Sequence, residues 1–247
     1  MIPYILCIES AAKECSMALL CGKDVVVSRE AAEGGHNANL SAFANELIAL
    51  IPKGKQLSAI AVGDGPGSYT GLRISASLAK GLAFSLNVPL IAISSLKILE
   101  ESIRSKCSEL PSGYAITPML DARRMEIYSA LYREDEDGTS QSFVMDKEED
   151  INRFQRLVKE ASMIFYGGDG AEKIRPLFNN LFAEKAVYVD SVKLHASNMA
   201  STALKCWDSG SFVDLAYWTP NYLKEYNAVV TSNKVIGTMP NSLTPDA

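Results

Sequence analysis

Asp64-Gly65-Pro66-Gly67-Ser68-Tyr69-Thr70-Gly71-Leu72-Arg73-Ile74 is the stretch from which the fold is read. It leaves an apolar run, Leu57 to Val62, that reads as a buried strand. Its glycines form a loop over 63–67, and the spacing predicts a long helix from about Tyr69 to Leu86. A strand that turns sharply into a helix can present backbone N–H groups and the positive helix end to an anion. No Gly-Lys-Ser/Thr follows, so this is not a P-loop. Nor does it carry the glycine spacing and downstream acid of a dinucleotide site, or a Gly-x-Ser-x-Gly nucleophile elbow. On composition alone the preferred reading is a tight junction that needs small residues.

The helix itself says more. Arg73 and Lys80 share one stripe, and nearly everything else is apolar or small: Gly71, Leu72, Ile74, Ser75, Ala76, Leu78, Ala79, Gly81, Leu82, Ala83 and Leu86. That arc spans about 200°, where a surface helix needs about 100°. Such a helix is covered on two sides. Either both covers are layers of its own domain, or one is a partner chain admitted by the small residues Gly71, Ser75, Ala79 and Ser77, Gly81, Ser85.

Upstream, Tyr4 to Ile8, Cys15 to Cys21 and Val25 to Ser28 read as strands, with a turn at Gly22-Lys23-Asp24. Asn37 or Asn39 is the expected cap of a helix to about Leu50. Downstream come a strand, Leu90 to Ile93, and a helix, Ser95 to Cys107. The second half has strands at Tyr114 to Leu120, Met125 to Tyr132, Met163 to Tyr166 and Ala186 to Val189. Its helices are expected from Asp146 to about Glu160, after Gly170 to Phe178, and from Ala196 to Trp207. Glu134 to Gly138 reads as a solvated acidic hairpin tip. Three meandering strands followed by alternating strands and helices predict an α/β protein with mixed sheets flanked by helices. Residue identity aligns no internal repeat, although a diverged duplication fits the pattern.

The 247 residues are 47% hydrophobic and 21% charged, which is a globular composition. The net charge of −5 argues against a protein that grips nucleic acid by a broad basic surface of its own. The five cysteines, Cys7, Cys15, Cys21, Cys107 and Cys206, form no CxxC pair, and an odd set of thiols points to a reducing compartment. Met1-Ile2-Pro3-Tyr4 lacks the basic region of a signal peptide, and no apolar run reaches membrane length, so a cytoplasmic location is expected. His36 and His195 are the two histidines, each placed just before a helix, and neither sits at metal-ligand spacing. Catalytic and metal residues are therefore not assigned. Asp121-Ala122-Arg123-Arg124-Met125-Glu126 is a charged turn whose arginines either bind an anion or pair with Asp121 and Glu126. Gly167-Gly168-Asp169-Gly170 either approaches a nucleotide or is a strand-to-helix turn with Asp169 as cap; the second is favoured.

Together these segments resemble the TsaB (YeaZ) family of tRNA threonylcarbamoyladenosine biosynthesis factors. The resemblance rests first on Gly65 to Ile74, then on Asp121 to Arg124, on His36 with Leu40, and on Pro220-Asn221-Tyr222-Leu223. Lys224 stands where that pattern has arginine, and the chain beyond it is not covered. The resemblance implies two related actin-like (ASKHA, RNase H-like) domains, here 1–110 and 111–230, with 231–247 as an extended or disordered tail. It implies a non-catalytic subunit that heterodimerises with TsaD and, with the ATPase TsaE, serves threonylcarbamoyl transfer to N6 of adenosine 37 in tRNA. The tRNA would be reached through the complex, and the chain alone would homodimerise. The implied contact uses the two N-terminal helices, which makes Asn39, Phe43, Glu46, Leu47, Leu50, Arg73, Ile74, Ser77, Leu78 and Gly81 the expected interface. Any ATP or ADP binding would be weak, belong mainly to the complex, and draw on Glu9, Gly167, Gly168 and Asp169. The rival readings are an actin-like ATPase or phosphotransferase served by Glu9, Asp64 and Gly168, and, lowest, a glycoprotease-like hydrolase.

Overall fold

The computed structural model describes residues 2–32, 36–133 and 138–223, without the side chains of His36 and Asn37. The acidic turn at 134–137, Lys224 and the expected tail at 231–247 lie outside the described residues. Two five-stranded sheets organise the chain. The first contains β1 (Tyr4–Glu9), β2 (Cys15–Cys21), β3 (Asp24–Ala31), β4 (Ala59–Gly65) and β5 (Leu90–Ser94) in the order β3-β2-β1-β4-β5. The second contains β6 (Ala115–Asp121), β7 (Glu126–Ser129), β8 (Gln141–Val144), β9 (Ile164–Gly167) and β10 (Ala186–Tyr188) in the order β10-β9-β6-β7-β8. The two orders are the same motif. In each, three strands meander antiparallel, and the first also pairs in parallel with the fourth. The duplication that residue identity hides is plain in the topology.

The helices repeat too. In the first unit α1 (His36–Ala49), α2 (Tyr69–Leu86) and α3 (Ser95–Lys106) follow the third, fourth and fifth strands. In the second unit the same places are held by α4 (Glu148–Leu157), α5 (Ala171–Phe182) and α6 (Ala200–Ser209), the last led in by a 3-10 turn at Ala196–Met199. α1 and α2 cover the outer face of the first sheet through Leu40, Leu47, Ala79 and Ala83. α4 and α5 cover the outer face of the second through Phe154, Ile174 and Phe178. Between the sheets, Leu96, Leu99 and Ile103 of α3 and Ala203 of α6 join a core fed by both. The result is five layers, with α3 and α6 in the middle.

Several expectations need correction. α1 begins at His36, so Asn37 and Asn39 lie inside it rather than capping it. Gly63 to Gly65 are not loop: β4 continues through them, bulged against β5 between Gly63 and Gly65. β8 was not foreseen, because only Phe143 of its four residues is buried and the strand lies on an edge. α4 starts two residues later than its acidic N-terminus suggested and ends at Leu157; Asp150 spends a carboxylate oxygen on the Val144 N–H, 2.8 Å away. α5 runs past Phe178 to Phe182 despite Pro176, and the expected helix from Ala196 is a 3-10 turn before α6. The apolar runs around Cys7, Cys15 and Cys21 predict three buried thiols; Cys7 and Cys15 are buried, and Cys21 is partly exposed.

Candidate functional site

The junction at Gly65 to Gly71 is built by close approach. Ser68 caps α2, its side chain accepting from the Gly71 N–H at 3.3 Å. A Cβ on Gly71 would lie 1.8 Å from the Ser10 carbonyl oxygen, and one on Gly67 would lie 2.5 Å from the Ala11 Cβ. The Ser68 N–H donates to the Ala11 carbonyl at 2.7 Å, and the Ser10 hydroxyl to the Gly71 carbonyl at 2.7 Å. The β1–β2 turn therefore fills the space before α2 where an anion would sit. On the other side, Gly65 at φ +97 passes 2.7 Å, measured to a hypothetical Cβ, from the Asn221 carbonyl.

That carbonyl belongs to a strap, residues 211–223, which returns from α6 across the first unit. Val213 bridges Leu90, and the Asn221 N–H donates to the Asp64 carbonyl at 2.7 Å. Trp218 Nε1 donates to Asp64 Oδ1 at 3.0 Å, and Lys80 Nζ to the Trp218 carbonyl at 3.0 Å. Burial pushes the Asp64 carboxyl up to about 6 against these bonds. Tyr222 ends the strap against Tyr69, with ring centroids 4.9 Å apart, and the Arg73 guanidinium lies over the Tyr69 ring, 5.3 Å from its centroid. Lys80 is thus committed to the strap, not to the stripe it shares with Arg73.

Beside this stack runs an open groove of about 730 Å³ lined by Tyr69, Thr70, Arg73, Ile74, Ser77 and Leu78. α2 buries Gly71, Leu72, Ser75, Ala76, Ala79 and Ala83 against its own domain. Its opposite stripe is open: Arg73, Ser77 and Gly81 are exposed, and Ile74 and Leu78 half-buried. Phe84, not foreseen as a site residue, is 80% exposed on the same stripe. Spacing of three and seven from Gly81 and Ser77 could have found it. Nothing lies within 4 Å of a Cβ placed on Gly81. On α1, Asn39 and Phe43 are half-buried, Leu50 just beyond the helix is 50% exposed, and Glu46 is exposed but bonded to Arg29 of β3. Leu47 is a correction: it is fully buried against the first sheet and cannot meet a partner.

The residues expected at a nucleotide are not gathered in one place. A cleft of about 390 Å³ between the units is lined by Ala12, Lys13, Glu14 and Glu30 on one side and by Gly168, Asp169, Glu172, Asp190 and Lys193 on the other. Glu9 is absent from its lining: it is 1% exposed, one oxygen accepts from the Ala11 N–H at 2.6 Å, and burial raises its pKa to about 7. Gly167 packs under Val189 and Val192, and Gly168, at φ +110, passes so near the Met119 carbonyl that a Cβ there would lie 2.4 Å from it. Asp169 caps no helix; its carboxylate accepts from the Asp121 N–H at 2.9 Å, and Gly170 stands at the α5 N-terminus. Five carboxylates face two lysines, one of which, Lys193, already pairs with Glu30 at 3.4 Å. This lining does not fit a polyphosphate. His195 caps the 3-10 turn by accepting from the Ser197 N–H. No cluster of His, Cys, Asp or Glu suited to a metal is found among the described residues. No helix among them is long and apolar enough to cross a membrane.

A duplicated three-strand meander with parallel additions, helices on both faces and a cleft between the units define an actin-like protein of two α/β domains. Residues 26–204 match the family model described as "TsaD: tRNA N6-adenosine threonylcarbamoyltransferase". The chain belongs to that family, on its TsaB (YeaZ) branch. It is 33% identical over 125 residues to the tRNA threonylcarbamoyladenosine biosynthesis protein TsaB of Haemophilus influenzae, covering 50% of this chain and 51% of that protein. It is 38% identical over 117 residues to TsaB of Bacillus subtilis, covering 47% and 48%. These alignments span about half the length of the curated relatives. The solved structure of YeaZ from Pseudomonas aeruginosa superposes with a TM-score of 0.70 at 25% identity, over 90% of this chain and 100% of that one.

Proposed function

We propose that this chain is a non-catalytic scaffold subunit for threonylcarbamoyl transfer to N6 of adenosine 37 in tRNA. It acts by heterodimerising with a TsaD-type transferase through the outer faces of α1 and α2, with a TsaE-type ATPase completing the machinery. The names of its relatives support the pathway. The observation that carries the scaffold role is the outer stripe of α2, where Ile74, Leu78 and an 80% exposed Phe84 flank a glycine with open space before it. Exposed aromatic and aliphatic side chains around a small residue suit close helix-to-helix contact between chains. The same stripe serves self-association when the partner is absent. Five unpaired thiols fit a reducing cytoplasm.

The rival reading, an ATPase working alone, is disfavoured by the acidic cleft and by the filled space at Gly71. The test is reconstitution. A TsaD-type partner and a TsaE-type ATPase, given tRNA, ATP and threonylcarbamoyl-adenylate, are expected to modify adenosine 37 only when this chain is added. The chain alone is expected to release no phosphate from Mg-ATP. Modification at full rate without the chain, or ATP turnover by the chain alone, contradicts the reading.

A further inference from the structure

Arg123 and Arg124 occupy the turn between β6 and β7 with φ values of +72 and +50. The left-handed region is costly for side chains with a Cβ, and tight hairpins usually fill it with Asn or Gly. The turn is fastened by the Ala122 N–H donating to the Glu126 carbonyl at 3.1 Å and by Asp121 Oδ1 accepting from the Arg123 N–H at 2.8 Å. The two carboxylates of the turn are engaged elsewhere: Asp121 pairs with Lys173, and Glu126 accepts from the Ser142 hydroxyl. Both arginines are exposed, and neither guanidinium has a hydrogen-bond or ion-pair partner among the described residues. A chain of net charge −5 thus holds two adjacent exposed arginines at the C-terminal end of β6, outside the acidic lining of the cleft.

We infer that this turn is a contact for the phosphodiester backbone of RNA. Guanidinium forks match phosphate oxygens in pairs, and a strained turn that aims two of them outward is explained by a ligand that uses both. A protein partner would be expected to meet apolar surface around the arginines. Among the described residues the large exposed hydrophobics, Ile2, Val25, Val26, Leu50, Phe84, Leu86, Phe212, Tyr217 and Tyr222, include none from the second sheet or its helices. The choice of RNA over another polyanion rests on the function proposed above.

The experiment measures binding of an unmodified tRNA transcript across a salt series, for the chain alone and for its mixture with the TsaD-type partner. Association of the two proteins is followed separately by size-exclusion chromatography. The variant is Arg123→Gly/Arg124→Gly, because glycine takes both backbone conformations without strain and the fold is kept. The control is Arg156→Ala/Lys159→Ala at the far end of the second sheet, with the same loss of charge. The inference predicts that the turn variant binds RNA more weakly and that the slope of log affinity against log salt falls by about 1.5, from two lost phosphate contacts. The control keeps the wild-type slope, and protein association is unchanged in both. A turn variant with the wild-type salt slope overturns the inference, as does a wild type that binds no RNA in either form. A variant that loses the protein partner but keeps RNA binding makes the turn a protein-docking site and also overturns it. Failure of the wild-type proteins to associate refutes the heterodimer instead, and the chain-alone series then decides the turn.

Discussion

Glu9 offers the sharpest thermodynamic test of the claim that the acid of the first hairpin is structural. It ends β1, 1% exposed, with one oxygen accepting from the Ala11 N–H and the other, Oε2, unpartnered. A Cβ on Gly63 would lie 2.1 Å from that second oxygen, so the carboxyl lies flat over a glycine of β4. Burial raises the pKa from 4.5 to about 7, more than the opposing backbone bonds from Ala11 and Ser10 lower it. The folded chain therefore holds this proton more tightly than the unfolded chain. Stability is fullest below the unfolded value, falls as pH rises from about 4.5 through about 7, and levels off above. Glu9→Gln replaces the carboxyl by a neutral group of the same shape that still accepts from Ala11. The variant is expected to be more stable than wild type by about 1 kcal/mol at pH 5 and about 3 kcal/mol at pH 8. Asp64, raised to about 6, titrates in both proteins and cancels in the difference. Urea denaturation of both at half-unit steps from pH 5 to pH 8 gives the curve. A gap that does not grow with pH, or a variant less stable than wild type at pH 8, would mean that Glu9 is ionised and held by a cationic partner. The structural account of the hairpin would then be wrong.

Other substitutions separate packing inside the chain from contacts outside it. Gly81→Ala meets nothing within 4 Å and replaces a helix glycine, so the isolated chain should gain about 1 kcal/mol in thermal or chemical denaturation while its association with partner or copy weakens. A chain that gains stability and associates as before shows that the α2 stripe is not an interface. Gly71→Ala drives a Cβ into the Ser10 carbonyl and should cost on the order of 3 kcal/mol or more, read as a lowered denaturation midpoint; a neutral result refutes the account of the junction. Trp218→Phe removes the indole N–H from Asp64 and should loosen the strap, seen as faster amide exchange at Asn221, whose N–H bonds the Asp64 carbonyl.

The first unit was readable because its signals are local. Ser68 marks the start of α2, and the helix ends where the spacing placed it, with Asn87 in the left-handed conformation as its stop. The wide apolar arc of α2 predicts cover on two sides; the chain itself covers one, and the stripe Gly71, Ser75 and Ala79, read as room for a partner, is buried in that face instead. What could not be read depends on distant pairings. β8 carries one buried side chain, so its period-two signal is nearly silent, and without it the second meander and hence the duplication do not emerge. The strap ties Lys80 to Trp218 and Asp64 to Asn221, contacts more than 130 residues apart, and leaves no local pattern. The glycines of the junction were correctly read as a steric need, but the neighbours that impose it, Ser10, Ala11 and Asn221, come from two other segments. The sequence leaves the arginines at 123 and 124 either to bind an anion or to pair with Asp121 and Glu126, and only the folded chain shows those acids claimed by Lys173 and Ser142.

The central claim, that the outer face of α2 joins a TsaD-type subunit, is tested most directly by the mass of the mixture. Light scattering of this chain with that partner is expected to give a heterodimer for wild type. The Ile74→Glu variant, folded by circular dichroism because Ile74 is only half-buried, should give two separate species. A heterodimer that forms equally well with glutamate at position 74 would contradict the account.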